Sequence, residues 1–348
     1  IRPERFVLAN AHIHSGPDVA GYERLPAEHK GHVGRYMKRL TDRLEQVVLG
    51  ALKSRRPGRL AWARGQVGFA ANRRVLKEGK WAGFGAVPGA PVDHTLLLLR
   101  ATDTGGKLVA VVANYACHCT TLRGNFTKIH GDWAGSAQRF LEADHPGAAA
   151  MITIGCGADA DPCPHGTVAL CDRHGRALAD EVKRLLAGPM TPIEPKLTAR
   201  RVTLKLAYQD PPELEELRKR AKSSWSLQQV LDRRKRGEPI PPLQYPIVTW
   251  VFDDDLAMIF LTGEAVVDYA RRMGQELDGR RLWITAYAHE VPCYVVSQRI
   301  LREGGYEARN SISARISFGR PETVKPPTED RILAAIRELL PEAFRSAR

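Results

Sequence analysis

Two histidines separated by one residue, His12 and His14, lie near the start of the sequence and could bind a metal ion together. On an extended segment the side chains at i and i+2 project from the same face, so both imidazoles would reach one small volume. Histidine is the commonest metal ligand in proteins, although it also packs in cores. The Ser-Gly-Pro sequence at 15–17 cannot continue a strand and predicts a turn after the pair. A metal site would need further ligands from other segments.

Polar groups that directly follow predicted apolar strands supply those further candidates. They are His12, His118, Glu264 and a group in the segment 287–294. A rigid sheet can hold reactive groups on the loops at its strand ends. Two imidazoles, a carboxylate and one more oxygen donor form a ligand set suited to Zn²⁺. The residues alone leave two other interpretations open, since Glu264 could be a carboxylate at a helix N-terminus and His118 could simply be buried.

Hydrophobic periodicity predicts strands and helices in alternation along the chain. Strands are expected at 60–69, 95–100, 107–115, 148–154, 196–208 and 282–288, with two more within 247–261 around the turn at 253–255. Helices are expected at about 33–53, 167–187, 265–277 and 328–339, with a charged helical segment at 212–236. A further helix is expected to start after an N-cap at Asp132 and to end at about Asp144. A Gly-rich loop is expected at 79–89.

Composition excludes some classes of protein and leaves one kind of partner open. The 348 residues are 43% hydrophobic and 26% charged, as in a globular protein, and no apolar run approaches the roughly 18–20 residues of a membrane helix. The net charge of +13 favours anionic partners. No nucleic-acid motif accompanies it, so we expect either a solvated basic surface or peripheral contact with an anionic membrane. The chain starts at Ile1 without a leader, and we expect that an N-terminal segment is missing.

The six cysteines contain no Cys-x-x-Cys pair, which excludes a zinc ribbon. Disulfides are an alternative whose pairing the sequence leaves open, and buried free thiols are the simpler interpretation. Cys117 and Cys119 flank His118 and should point away from it on an extended strand, so we expect that they are not metal ligands.

Several of these segments resemble motifs of the neutral ceramidase family. The segment 12–17, His-Ile-His-Ser-Gly-Pro, resembles the family's His-Thr-His-Ser-Gly-Pro signature. His118, followed by Gly131-Asp132, resembles the second histidine and the Gly-Asp turn of that family. Asn72-Arg73 resembles an Asn-Arg pair whose arginine faces the substrate.

The resemblance continues in the same order through the second half of the chain. Thr262-Gly263-Glu264 resembles the Gly-Glu segment that supplies a carboxylate ligand, and Tyr294 with Gly305-Tyr306-Glu307 resembles a pair of tyrosines. The resemblance implies a zinc ion with four ligands, His12, His118, Glu264 and Tyr294. It also implies catalytic groups that lie beside the metal or face the substrate, namely His14, Arg73 and Tyr306. Nothing in the residues themselves would choose Tyr294 over Tyr287.

The resemblance further implies an α/β fold of mixed β-sheets flanked by helices, and we expect one catalytic domain over 1–348 with a charged helical excursion at 210–240. A secreted or periplasmic location would also follow from it. Two departures from the family concern the substrate. Because the sequence ends soon after its last predicted helix, we expect that the family's C-terminal immunoglobulin-like domain is absent. The family's Gly-Asp-Val-Ser-Pro loop appears as Ala-Asp-Ala-Asp-Pro at 158–162, with Asp161 at the position of the catalytic serine.

With aspartate at that position, we expect a metal-activated water to attack the amide bond, and Asp161 to accept a proton or to orient the water. The sequence therefore predicts a zinc-dependent hydrolase of an N-acyl, ceramide-like small molecule. Two alternatives are kept. One is a barrel-type metal-dependent amidohydrolase, in which His-x-His ends the first strand of about eight βα units. The other is a ceramidase-like protein that lost its chemistry and only binds lipid.

Overall fold

The computed structural model describes residues 1–17, 19, 25–206, 213–222, 225–239, 242–311 and 327–347. Its helices are α1 (Ala27–Lys53), α2 (Asp132–Asp144), α3 (Val168–Ala187), α4 (Leu214–Ala221), α5 (Trp225–Lys235), α6 (Val267–Glu276), α7 (Gln298–Glu303), α8 (Tyr306–Arg309) and α9 (Thr328–Leu339). Its longer strands are β1 (Gly58–Gln66), β5 (Thr95–Asp103), β6 (Leu108–Tyr115), β7 (Ala149–Ile154), β10 (Leu197–Leu206), β11 (Leu243–Phe252), β12 (Leu256–Leu261) and β14 (Leu282–Thr285). Its short strands are β2 (Ala70–Asn72), β3 (Arg74–Lys77), β4 (Lys80–Phe84), β8 (Ala160–Pro162), β9 (Thr191–Ile193), β13 (Glu264–Ala265) and β15 (Tyr294–Val295).

Two mixed sheets form the centre of the fold. The first has the strand order β7-β6-β5-β1-β9 and the second the order β10-β11-β12-β14. Neighbouring strands are antiparallel except for the pairs β6–β7 and β12–β14, which are parallel. The predicted α/β fold of mixed sheets is therefore confirmed, and the antiparallel pairing is incompatible with the barrel alternative, whose strands are all parallel.

The two sheets pack face to face, and helices cover their outer faces. One apolar cluster joins both sheets through Trp62 and Leu97 from the first and Val248 and Trp283 from the second. The neighbours of Leu97 along β5 belong instead to the large cluster that contains side chains of α2, α3, α6 and α9. Because β5 is covered on both faces, its sequence is a continuous apolar run rather than an alternating one.

Several sequence predictions are confirmed. Helix α9 spans the predicted residues, and α3 begins after Thr167, whose side chain accepts a hydrogen bond from the backbone N–H of Leu170. The turn between β5 and β6 is closed by Asp103, whose carboxylate accepts a hydrogen bond from the N–H of Lys107 at 2.9 Å. All six cysteines are free, and of these only Cys163 is exposed.

Other boundaries were wrong for identifiable reasons. Helix α1 begins at Ala27, before the predicted start. Strand β1 ends at Gln66, where its partner β5 begins. The predicted loop at 79–89 contains β4, which pairs with β3 around a turn in which Glu78 and Gly79 both have positive φ. These turns depend on backbone conformations that the apolar pattern does not encode.

Two further corrections concern segments near the candidate residues. The strand predicted at 282–288 ends at Thr285, because Tyr287 and His289 adopt positive φ values of 56° and 61°. The predicted helical segment 212–236 consists of α4 and α5, which pack on each other through a small apolar cluster of their own. Residues 210–212, 223–224 and 240 of the proposed excursion lie outside the described residues, as do residues 207–208 of the strand predicted at 196–208. In the described part of the chain, no helix has the length and apolar content to cross a membrane.

Candidate metal centre

His12 is held at the centre by the loop after β14. The N-terminal segment forms isolated bridges from Ala9 to Ala288 and from Ile13 to Cys119 instead of the extended strand that we expected, and His12 has a φ of 51°. The imidazole of His12 stacks on the ring of Tyr287 with centroids 4.7 Å apart. Its Nε2 nevertheless lies 3.0 Å from Nε2 of His14, so the predicted convergence of the two histidines is found without the predicted strand geometry.

His118 follows β6 and is fully buried. Its Nδ1 donates a hydrogen bond to the carbonyl oxygen of Gly157 at 2.9 Å, which leaves the lone pair of the neutral ring on Nε2. Burial lowers the pKa of His118, so the ring is neutral at pH 7. Gly157 is required for this contact, because a Cβ there would lie only 2.8 Å from the carbonyl oxygen of Ala116. The glycine therefore allows the backbone of this loop to lie directly against that of Ala116 and Cys117.

Glu264 follows β12 and faces both histidines. Its Oε2 lies 3.2 Å from Nε2 of His12 and 3.3 Å from Nε2 of His118. Burial alone would raise the pKa of Glu264, but the adjacent rings of His118 and His12 hold it far below its usual range. The carboxylate is therefore ionised.

The contact between His118 and Glu264 brings two acceptors together. Within the described residues, neither Nε2 of His118 nor Oε2 of Glu264 has a hydrogen-bond partner, although both atoms are buried. A buried polar atom without a partner is unusual and points to a missing ligand. A histidine that donates from one ring nitrogen to a backbone carbonyl and presents the other nitrogen has the usual arrangement of a metal ligand. The donor set therefore fits a divalent cation.

The structure also places His14 among the candidate ligands. Single nitrogen atoms of His12, His14 and His118 all lie within 4.8 Å of one another. Burial, followed by the charges of His118 and His12, lowers the pKa of His14 to about 4, so this ring also presents a lone pair at pH 7. The resemblance had placed His14 beside the metal, and this geometry allows it to be a ligand as well.

Tyr294 pairs with Glu264 in the short parallel sheet of β13 and β15. Its ring is stacked on that of His118 at 6.5 Å, and its hydroxyl accepts a hydrogen bond from Nη2 of Arg73 at 3.1 Å. Burial raises the pKa of Tyr294 well above its usual value despite the opposing charge of Arg73, so the phenol is neutral at pH 7. Tyr287 is buried too, and no described residue forms a hydrogen bond with its hydroxyl.

Arg73 is buried, and its guanidinium joins three other groups. It donates from Nε to Oε1 of Glu307 at 2.9 Å, from Nη1 to Oδ1 of Asp161 at 3.1 Å, and from Nη2 to Tyr294. Arg73 and Asp161 are neighbours because β2 pairs with β8. Tyr306 starts α8, is 39% exposed and lies with its ring 5.7 Å from that of Tyr294, on the open side of the site.

Asp161 is buried and ionised. Its Oδ1 also accepts a hydrogen bond from Thr120 at 3.0 Å, and its Oδ2 lies 3.6 Å from Nη1 of Arg123. Burial would raise the pKa of Asp161, but Arg73 and the other neighbouring cations lower it overall. A carboxylate stabilised in this way is a weak base, which favours the orienting role over proton transfer.

Sequence reasoning missed Glu307 as a structural group, although it lies in the quoted Gly-Tyr-Glu motif. Glu307 is fully buried between Arg73 and Arg74, with one carboxylate oxygen on each guanidinium. Arg74 in turn pairs with Glu303, and Glu303 with Arg299. No sequence signal distinguishes a buried glutamate of this kind from an exposed one. The predicted N-cap at Asp132 was also wrong, because Gly131 occupies the N-cap position of α2 and Asp132 is the first residue of the helix. The buried carboxylate of Asp132 accepts hydrogen bonds from the backbone N–H groups of Thr121, Leu122 and Trp133.

Comparison with known proteins supports the fold alone. No family model and no curated protein matches the chain. Among solved structures, the neutral ceramidase from Pseudomonas aeruginosa is similar, with a TM-score of 0.66 and 15% sequence identity. The alignment covers 100% of this chain and 64% of the ceramidase chain. A ceramidase solved in complex with C2 matches 96% of this chain and 62% of its own, with a TM-score of 0.67 and 16% identity. The chain therefore has a mixed α/β fold, and this fold is that of the neutral ceramidases. It spans less than two thirds of the length of those two proteins.

Replacing Glu307 with glutamine should destabilise the fold and release Arg73. The substitution removes the charge that two buried guanidinium groups share, and breaking a buried ion pair typically costs about 3–5 kcal/mol. Urea unfolding would measure the loss. Glu276→Gln is the matched control, because Glu276 forms an exposed pair with Arg272 and its removal should cost less than about 1 kcal/mol. Equal losses in the two variants would contradict the role assigned to Glu307.

Proposed function

We propose that the chain is a zinc-dependent hydrolase that cleaves the amide bond of an N-acyl, ceramide-like substrate. The observation that carries the proposal is the pair of buried acceptors, His118 Nε2 and Glu264 Oε2, which lie 3.3 Å apart without a hydrogen bond. Imidazole nitrogens and a carboxylate oxygen suit zinc. The fold shared with two ceramidases supports an N-acyl substrate.

The proposed zinc ligands are His12, His118, Glu264 and Tyr294. When bound, the ion supplies Lewis acidity to the amide carbonyl and to the attacking water. Hydrolysis adds the hydroxyl of the water to the acyl carbon and its proton to the departing nitrogen, so the products are a carboxylic acid and an amine.

The surrounding side chains bind and orient the reactants in this proposal. Arg73 fixes the hydroxyl of Tyr294 and the carboxylate of Asp161, and Asp161 accepts a hydrogen bond from the water and so orients it. Tyr306 donates a hydrogen bond to the carbonyl oxygen as negative charge develops there. His14 faces the substrate from the open edge of the histidine cluster.

The zinc assignment predicts that His118→Ala loses both metal and activity. The substitution removes a proposed ligand, and that ligand is the one buried imidazole among His12, His14 and His118. Zinc content per chain, measured by elemental analysis, should fall from about one to near zero. The double variant Cys117→Ser, Cys119→Ser is the control, since both thiols pack in the apolar core, and it should keep its zinc. Full zinc occupancy in His118→Ala would refute the assignment.

The mechanism predicts that no acyl-enzyme forms and that Asp161→Asn lowers kcat by about 10²-fold. Asparagine keeps the shape but loses the charge that Arg73 and Arg123 hold in place, while the zinc ligands are unchanged. Rapid-quench kinetics on an N-acyl substrate should show no burst, and zinc affinity should change much less than kcat. A trapped acyl adduct on any side chain would exclude direct attack by water. An unchanged kcat would remove Asp161 from the mechanism.

The same experiments separate this proposal from the non-catalytic alternative. A ceramidase-like protein that only binds lipid would show no turnover with zinc bound. Zinc binding together with hydrolysis of an N-acyl substrate is expected only of the enzyme.

We also propose that α1 binds an anionic membrane surface. None of its residues is buried, and Leu40, Leu44 and Val47 form an exposed apolar stripe. Arg39 and Arg43 lie along one edge of that stripe on the helical wheel. An exposed apolar stripe with basic residues at its edge is typical of helices that lie in the headgroup region of anionic bilayers.

Leu44→Glu should therefore reduce binding to vesicles of phosphatidylglycerol and phosphatidylcholine, measured by co-sedimentation. Gln46→Glu adds the same charge outside the stripe and serves as the control, which should bind more tightly than Leu44→Glu. Equal binding of the two variants, or equal binding of the unaltered protein to pure phosphatidylcholine, would contradict this membrane contact.

A further inference from the structure

A cavity of about 260 Å³ opens beside Arg73 and Asp161 and is separate from the histidine cluster. Its walls combine charged and apolar groups: Arg73, Phe84, Arg123, Asp161, Pro162 and His165. Arg73 and Asp161 also belong to the candidate centre, and Arg73 is hydrogen-bonded to the proposed ligand Tyr294. A molecule bound in the cavity would therefore lie next to the candidate centre.

The charges on the cavity walls do not cancel. Arg73 and Arg123 each carry a positive charge and Asp161 a negative one, while burial and the charge of Arg123 lower the pKa of His165 and keep it neutral at pH 7. The carboxylate of Glu307 lies behind Arg73, away from the cavity lining. Among the residues that line the cavity, positive charges therefore outnumber negative charges by one.

Arg123 has hydrogen-bonding capacity left for a ligand. Its Nε donates to Nδ1 of His165 at 3.2 Å, and its Nη1 lies 3.6 Å from Asp161, beyond a good hydrogen bond. Nη2 forms no hydrogen bond with any residue that the structure describes. Because Nδ1 of the neutral His165 accepts, its Nε2 carries the hydrogen and is a second donor. The contact with His165 also limits the rotation of the 41%-exposed Arg123 side chain.

We infer that this cavity binds the carboxylate of an anionic N-acyl substrate, such as an N-acyl amino acid, with Arg123 as the residue that determines this specificity. The inference rests on the proposed function and narrows its substrate class. One carboxylate balances the excess charge, and guanidinium groups bind carboxylates with charge-assisted hydrogen bonds. Phe84, which is 50% exposed and packs its ring against that of Tyr306, provides an apolar surface for the remainder of the substrate.

A pair of substrates that differ only at this group provides the test. N-dodecanoylglycine ends in a carboxylate, and N-dodecanoylethanolamine has a hydroxymethyl group in its place. The zinc-loaded protein should hydrolyse the glycine compound with a kcat/KM at least about tenfold higher, as expected for one charge-assisted hydrogen bond. Arg123→Gln should reduce this ratio about tenfold or more, mainly through KM, and Arg123→Lys should restore part of it because it keeps the charge.

Arg59→Gln is the control, because Arg59 is an exposed arginine that hydrogen-bonds the carbonyl of Thr104 at the opposite end of the sheet. It should leave the substrate ratio unchanged. Equal kcat/KM values for the two compounds, or a ratio that Arg123→Gln does not alter, would overturn the inference and leave the proposed function standing.

Failure to hydrolyse either compound with zinc bound would instead count against the proposed function. The cavity would then be tested by calorimetric titration of N-dodecanoylglycine. Binding that is at least about tenfold weaker in Arg123→Gln than in Arg59→Gln would support the carboxylate site, and equal binding would refute it.

Discussion

The buried guanidinium of Arg73 is the group on which the geometry of the site depends. A charge that is removed from water must be paired and hydrogen-bonded, so each of its nitrogens fixes a partner. Asp161, Tyr294 and Glu307 come from three separate parts of the chain, and all three contact this one side chain. Since Tyr294 pairs with Glu264 through β15 and β13, the position of Arg73 is coupled to the candidate ligands as well.

The convergence of the two sheets explains why residues so distant in sequence meet. His118 follows β6 and Glu264 follows β12, and each of these strands has a parallel neighbour in its own sheet. The N–H of Ala286, directly after β14, donates a hydrogen bond to the carbonyl of Ile154, the last residue of β7, and so joins the ends of those two neighbours. The N-terminal segment then passes between the two strand ends, with the N–H of His14 donating to the carbonyl of Cys119 at 3.4 Å. Polar loops at the ends of packed strands thus enclose one small volume.

Strand ends are the part of this arrangement that the sequence could predict. His118 and Glu264 stand directly after apolar runs, and apolar runs are what hydrophobic patterning detects. We expected His12 and His14 to meet because side chains two residues apart share a face of a strand. In the structure they meet although His12 has a positive φ, a conformation that an apolar pattern does not reveal. Glu307 could not be found at all, since its burial depends on two arginines more than 200 residues away. Long-range ion pairs carry no local signal.

Aspartate at position 161 changes the electrostatics of the site as well as its chemistry. A hydroxyl group can be buried with a single hydrogen bond, whereas a carboxylate needs compensating charge. Here Arg73 and Thr120 both contact Oδ1, while Arg123 faces Oδ2. The charged groups that line the adjacent cavity are thus two cations and one carboxylate. A neutral head group would gain nothing from that charge, whereas a carboxylate would complete the balance. The charge of Asp161 therefore belongs both to the candidate site and to the wall of the cavity.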